Sequence, residues 1–209
     1  MTVFFNDSNV NNGVLNISTG SQPYEADITV PVTVNVGKSG TGVINLGDGN
    51  DIINYNNAAG ATINMGAGND YFNMQAKTTA LINFTGGAGN DTVWLQPGAH
   101  MIANYSFTLQ GTALVSNDGA DTLTGKGAGK ELNGAGWVPG TDVLDFHTGG
   151  VVNANNFSQY FNVNPNAPGP NGSTGTLITD KSGDGFSILL VGVHDTAAQL
   201  IAAHAFTFA

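Results

Sequence analysis

Three observations predict an all-β chain wound as a parallel β-solenoid. Gly47-Asp48-Gly49-Asn50-Asp51, Gly66-Ala67-Gly68-Asn69-Asp70 and Gly87-Ala88-Gly89-Asn90-Asp91 repeat one turn sequence, with their last aspartates nineteen and then twenty-one residues apart. Triplets of the form apolar-Asn-apolar flank these turns and recur at the same spacing. The composition is rich in glycine, with 30 in 209 residues, and poor in charge, which suits stacked turns better than helices. A fixed period near twenty residues is the signature of units that bury their apolar face against their own neighbours.

Two interleaved columns set the strands. One runs Ile44-Asn45-Leu46, Ile63-Asn64-Met65, Ile82-Asn83-Phe84 and Ala103-Asn104-Tyr105. The other runs Leu15-Asn16-Ile17, Val34-Asn35-Val36, Ile53-Asn54-Tyr55, Phe72-Asn73-Met74 and Val93-Trp94-Leu95. Period two places the apolar residues inward and the asparagines outward, with two strands per coil. The longer step of twenty-one is assigned to an insertion at Thr85-Gly86. Turns on the opposite side, such as Gly37 to Thr41 and Asn56 to Gly60, lack the aspartate, so one edge alone carries the acidic column.

Beyond these coils the pattern weakens. Ser116-Asn117-Asp118-Gly119-Ala120-Asp121-Thr122-Leu123 keeps the skeleton of the turn, and Gly127-Ala128-Gly129-Lys130-Glu131 echoes it with Lys130 able to compensate the acid. From about Gly134 the repeat dissolves, which divides the chain into a solenoid over 1–133 and a carboxy-terminal capping region over 134–209. A solenoid needs such an element to cover its last apolar layer. Strands are expected near Thr176 to Thr179 and Phe186 to Val191, a short helix over Thr196 to Ala203 with Asp195 as its N-cap, and a strand-like tail at Phe206 to Ala209.

The aspartates carry the chemistry. In register they stack about 4.8 Å apart, and at an effective dielectric near 20 neighbouring charges at that distance repel by about 3 kcal/mol. The chain has five lysines and no arginine to offset them, so a cation from solution is expected, and calcium is the hard, oxygen-seeking choice. Its expected ligands are Asp51, Asp70 and Asp91, the turn residues Gly47, Asp48, Gly49, Gly66, Gly68, Gly87 and Gly89, and Asp121 in the degenerate coil. Several ions would then line one edge. Asp180-Lys181-Ser182-Gly183-Asp184-Gly185 imitates the opening of a helix-loop-helix calcium loop, but Val191 stands where its bidentate glutamate belongs.

Composition excludes other partners. A net charge of −10 removes the usual means of holding phosphates, so nucleic acid is not expected as a partner. No apolar run is long enough to span a bilayer. Cysteine is absent, so an exported chain would rely on bound metal rather than disulfides. The opening segment Met1 to Asp7 lacks the basic and apolar parts of a secretory signal, which places any export address elsewhere. His100, His147, His194 and His204 are scattered outside any zinc-protease or nucleophile motif, so the chain is expected not to be an enzyme.

These residues resemble the RTX repeat family, whose nonapeptide is Gly-Gly-x-Gly-x-Asp-x-apolar-x. Gly86-Gly87-Ala88-Gly89-Asn90-Asp91-Thr92-Val93-Trp94 matches it throughout, while Leu46 and Met65 replace the first glycine in the other two copies. The resemblance implies a parallel β-roll with calcium in its turns, though on one side only. The stretch from Thr176 to Phe208 is similar to the carboxy-terminal region of type I secretion substrates, which implies export without a cleaved leader to the cell exterior or surface. The expected role is a secreted, calcium-binding structural or surface-layer protein whose solenoid folds and self-assembles, as a homo-oligomer or polymer, in extracellular calcium. The alternative is a calcium-dependent polysaccharide-binding adhesin or lectin-like module built on the asparagine ladders and Trp94. Ice binding ranks below both, because Asp48, Ala67 and Ala88 stand where related solenoids place threonine.

Overall fold

The computed structural model describes residues 1–75, 80–96, 99–126, 132–134 and 137–209. Short β-alternating segments separated by glycine turns wind into a parallel β-solenoid with two main sheets. The first stacks β1 (Val3–Phe5), β3 (Tyr24–Ile28), β5 (Gly42–Leu46), β7 (Ala61–Ala67), β9 (Leu81–Ala88), β11 (His100–Ser106), β16 (Val143–His147) and β20 (Phe206–Phe208), all parallel. The second stacks β2 (Val14–Ile17), β4 (Thr33–Val36), β6 (Ile52–Tyr55), β8 (Tyr71–Met74), β10 (Thr92–Leu95), β14 (Ala120–Lys126) and β19 (Ser187–Val191) in parallel. It then turns antiparallel through β18 (Thr174–Asp180) and β17 (Phe161–Pro168). A hairpin of β12 (Thr108–Gln110) and β13 (Ala113–Val115) interrupts one coil, and β15 (Leu132–Gly134) pairs antiparallel with β14. Two short helices complete the fold, α1 (Phe157–Tyr160) and α2 (Ala197–Ala202).

Alternation explains the core. In the second sheet Leu15, Val34, Ile53, Phe72, Val93 and Leu123 sit directly over one another and are all at most 2% exposed. Each such side chain stabilises the fold by about 1.5–3 kcal/mol relative to exposure. The asparagines between them point outward, as their period-two position requires. The carboxy-terminal end closes on aromatic rings: Phe157 lies 4.7 Å from Phe206 and 4.8 Å from Phe161, and Phe107 lies 4.9 Å from Phe186, measured between centroids. This cluster covers the last layer as a cap should.

Several details differ from the sequence reading. The parallel stack runs on past residue 134 through β16, β19 and β20, so Gly134 marks where the turn sequence stops repeating, not where stacking stops. The two extra residues do not enter at Thr85-Gly86. Ala61 already pairs with Ile82, whereas Ile52 pairs with Tyr71, so the addition falls in the opposite turn between β8 and β9. Asn64 consequently pairs with Thr85, and Phe84 with Ala103. A slip of two residues leaves every inward side chain inward, which is why hydrophobic periodicity could not detect it. Helix α2 is capped by Thr196, which accepts from the Gln199 amide in a reciprocal capping box, and not by Asp195. The echo at Gly127 to Glu131 lies outside the described residues.

Candidate metal centre along the turn edge

Asn-Asp in each turn stitches neighbouring coils in both directions. The asparagine accepts from the coil that follows: Asn50 Oδ1 from the Asn69 amide at 2.8 Å, Asn69 Oδ1 from Asn90 at 2.9 Å, and Asn90 Oδ1 from Ala120 at 2.7 Å. The aspartate accepts from the coil before. Asp51 Oδ1 takes the Val32 amide at 2.7 Å, Asp70 Oδ1 that of Asp51 at 2.7 Å, Asp91 Oδ1 that of Asp70 at 2.9 Å, and Asp121 Oδ1 that of Asp91 at 2.8 Å. The degenerate coil at Ser116 to Leu123 therefore extends the column to a fourth carboxylate.

These side chains lie inside the turns. Asp51, Asp70, Asp91 and Asp121 are 1–3% exposed. Their Oδ1 atoms are satisfied, but Oδ2 of Asp51, Asp70 and Asp91 is buried without a hydrogen-bond partner. Burial pushes all four carboxyls up, with their neighbours' charges adding from Asp70 onward: Asp70 to about 6, Asp91 to about 7 and Asp121 to about 8. The accepted amide bonds pull in the other direction and are outweighed. Among the described residues no lysine pairs with the column; Lys181 donates to the Ser158 carbonyl instead.

The turn glycines serve the stacking. Gly68 has φ +148°, and a Cβ there would meet the Gly49 carbonyl oxygen at 1.9 Å. Only glycine permits both that angle and that approach. Ala67 N–H donates to Gly47 O, Gly49 N–H to Ala67 O, Gly68 N–H to Ala88 O and Gly119 N–H to Gly89 O, while Gly66 pairs with Gly87. The carbonyls thus face the adjacent coil one by one, each with a lone pair beyond its amide bond. Asp48 is exposed at the turn surface, bridged in register to Ala67.

Residues the sequence reading missed complete the deep end of the column. Gly86 follows Met65 in the inward row, and its absent side chain leaves space: a Cβ there would lie 2.2 Å from Asp91 Oδ2 and 3.5 Å from Asp121 Oδ2. The buried Tyr105 hydroxyl lies beside Asp121 without completing a hydrogen bond, and its proton is held more tightly by burial and by the charges of Asp121, Asp118 and Asp91. On the opposite edge Asp142 is fully buried and accepts from Met101 N–H at 2.8 Å and Val138 N–H at 2.7 Å; burial pushes it up to about 6. Its signal was an aspartate directly before an apolar alternation, the same context as Asp51.

The Asp180 to Gly185 segment and the histidines lie apart from this column in sequence. Asp180 and Ser182 hydrogen-bond within the β18–β19 turn, and both Asp184 oxygens accept backbone amides, from Phe186 at 2.9 Å and Ser116 at 2.7 Å. That segment is a hairpin turn tied to the solenoid. Of the histidines, His147 approaches Asp145 at 3.4 Å, but Asp145 also accepts from Thr207, so the carboxylate stands between imidazole and hydroxyl.

The donor set fits a hard cation: desolvated carboxylate oxygens without hydrogen-bond partners. Among the described residues no three acidic or imidazole groups converge, so such an ion would be shared by carboxylates of successive coils and by backbone oxygens. Among the described residues no helix is long and apolar enough to cross a membrane. Comparison of the chain with protein-family models, with curated proteins and with solved structures finds no match.

Proposed function

We propose that the protein is a noncatalytic, calcium-binding solenoid that acts as a structural component outside the cell, as the RTX resemblance implies. One observation carries this reading: Oδ2 of Asp51, Asp70 and Asp91 is buried and unpartnered in three consecutive coils. A desolvated carboxylate without a counter-charge is costly, and a divalent ion is the ordinary remedy. Calcium bound only by the folded chain stabilises it by about 2.7 kcal/mol per site at a hundredfold excess over Kd. Low cytosolic calcium then leaves the coils loosely held for passage through a type I exporter, and millimolar calcium outside closes them. Self-association along the open strand edges of the solenoid accords with a surface-layer role.

Thermal unfolding tests the proposal. Calcium should raise Tm of the wild type in a concentration-dependent manner, with magnesium less effective because it dehydrates reluctantly. The variant carrying Asp51→Asn, Asp70→Asn and Asp91→Asn should lose most of that response. A wild-type Tm indifferent to calcium at neutral pH excludes the proposal.

A further inference from the structure

The outer face of the second sheet offers a site of a different kind. Asn16, Asn35, Asn54 and Asn73 stand in register, and Nδ2 of each of the last three donates to the Oδ1 of the preceding rung at 3.0–3.1 Å. The next position in that row is Trp94, paired with Asn73. Thr124 follows and is fully buried, which closes the row at that end. The row beside it holds Ile52, Tyr71 and Thr92. Trp94 and Tyr71 are half-buried, and neither the indole N–H nor the phenol makes a hydrogen bond or ring contact among the described residues.

We propose that this face binds an uncharged polysaccharide laid along the amide ladder and stacked on Trp94. The inner amides of Asn35 and Asn54 each spend one N–H and one oxygen lone pair on their neighbours and the end amides spend less, which leaves at least one donor and one acceptor for a ligand at every rung. A sugar hydroxyl both donates and accepts, so it matches this alternation. The face of a pyranose ring is apolar enough to cover an indole, whose unpaired N–H is free for a further hydroxyl. Charge selects among glycans. The two rows from β2 to β10 contain no acidic or basic side chain, whereas the molecule as a whole carries −10, so an anionic glycan meets repulsion and no compensating cation. The aspartates that precede these strands point inward while the two rows point outward, so the proposed contacts use none of the column's oxygens.

The test uses the full chain with its fold verified by circular dichroism, in calcium and again in chelator. Probes are cellulose, a β-1,3-glucan, chitin and starch, with alginate as the anionic arm. Wild type should be retained on at least one neutral glycan, and a soluble oligomer of it should change the emission of Trp94 while the buried Trp137 stays constant. Trp94→Ala should weaken retention at least tenfold without altering the circular dichroism spectrum. Trp94→Phe, which keeps an aromatic face and drops the N–H, should fall between. Retention on alginate alone, on no probe, or equally by wild type and Trp94→Ala overturns the proposal. The calcium dependence of the fold is read separately from the spectrum, so failure of the metal reading does not imitate failure of this one.

Discussion

At the residue scale, Asp51, Asp70 and Asp91 of the turn edge each do two separable things. Oδ1 receives a backbone amide from the neighbouring coil, and Oδ2 faces a buried space without a donor. Asp70→Asn keeps an oxygen acceptor and removes the charge, whereas Asp70→Ala leaves the buried Asp51 N–H unpaired. Chemical denaturation in chelator should therefore show Asp70→Ala destabilised by about 1–3 kcal/mol, with Asp70→Asn near wild type; equal losses would mean that the amide bond is not what holds the coils. The raised carboxyl values carry a sign. A carboxyl whose folded pKa lies above its unfolded value binds protons more readily when folded, so folding is favoured at low pH and loses that advantage as pH rises through the folded value. With Asp70 at about 6, Asp91 at about 7 and Asp121 at about 8, the metal-free protein should lose stability between pH 4 and pH 8. Calcium should flatten or reverse that slope, because it binds the ionised form. A metal-free protein more stable at pH 8 than at pH 5 would contradict the burial of these groups.

At the element scale, strands are held by ladders as well as by the core. Asn54 both donates to Asn35 and accepts from Asn73, while Asn16 at the first rung only accepts. Asn54→Ala should cost about twice as much as Asn16→Ala, on the order of 1–3 against 0.5–1.5 kcal/mol, in urea unfolding monitored by circular dichroism. Most of this architecture was legible in the sequence. The inward rows, the outward asparagines and the stacked aspartates follow from period two within strands and a near-constant period between them. What was not legible is equally specific. The pairing of Asn64 with Thr85 was hidden because a two-residue slip preserves facing. The Gly86 space beside Asp91 depended on that same register. The acceptor roles of Asn50 and Asp51 in opposite directions depend on turn geometry, which composition alone does not fix. Strands β19 and β20 match strands expected from the sequence, but like β16 they join the stack without the repeating turn, so no motif announced their place in it.

At the scale of the whole molecule, a solenoid transmits stability from coil to coil, and its acidic edge couples the turns that carry Asp51, Asp70, Asp91 and Asp121 to solution conditions. The aromatic end built on Phe157, Phe161 and Phe206 holds the last layer independently of that edge. Loss of calcium should therefore loosen the repeating coils before the cap. The most direct test of the column is diffraction at the calcium anomalous signal from crystals grown in calcium at pH 7.5. Ions are expected on the turn edge at about 2.3–2.6 Å from Oδ2 of Asp70 and Asp91. Crystals replete with calcium whose ions lie only elsewhere, with those two oxygens still buried and bare, would contradict a cation-bridged edge.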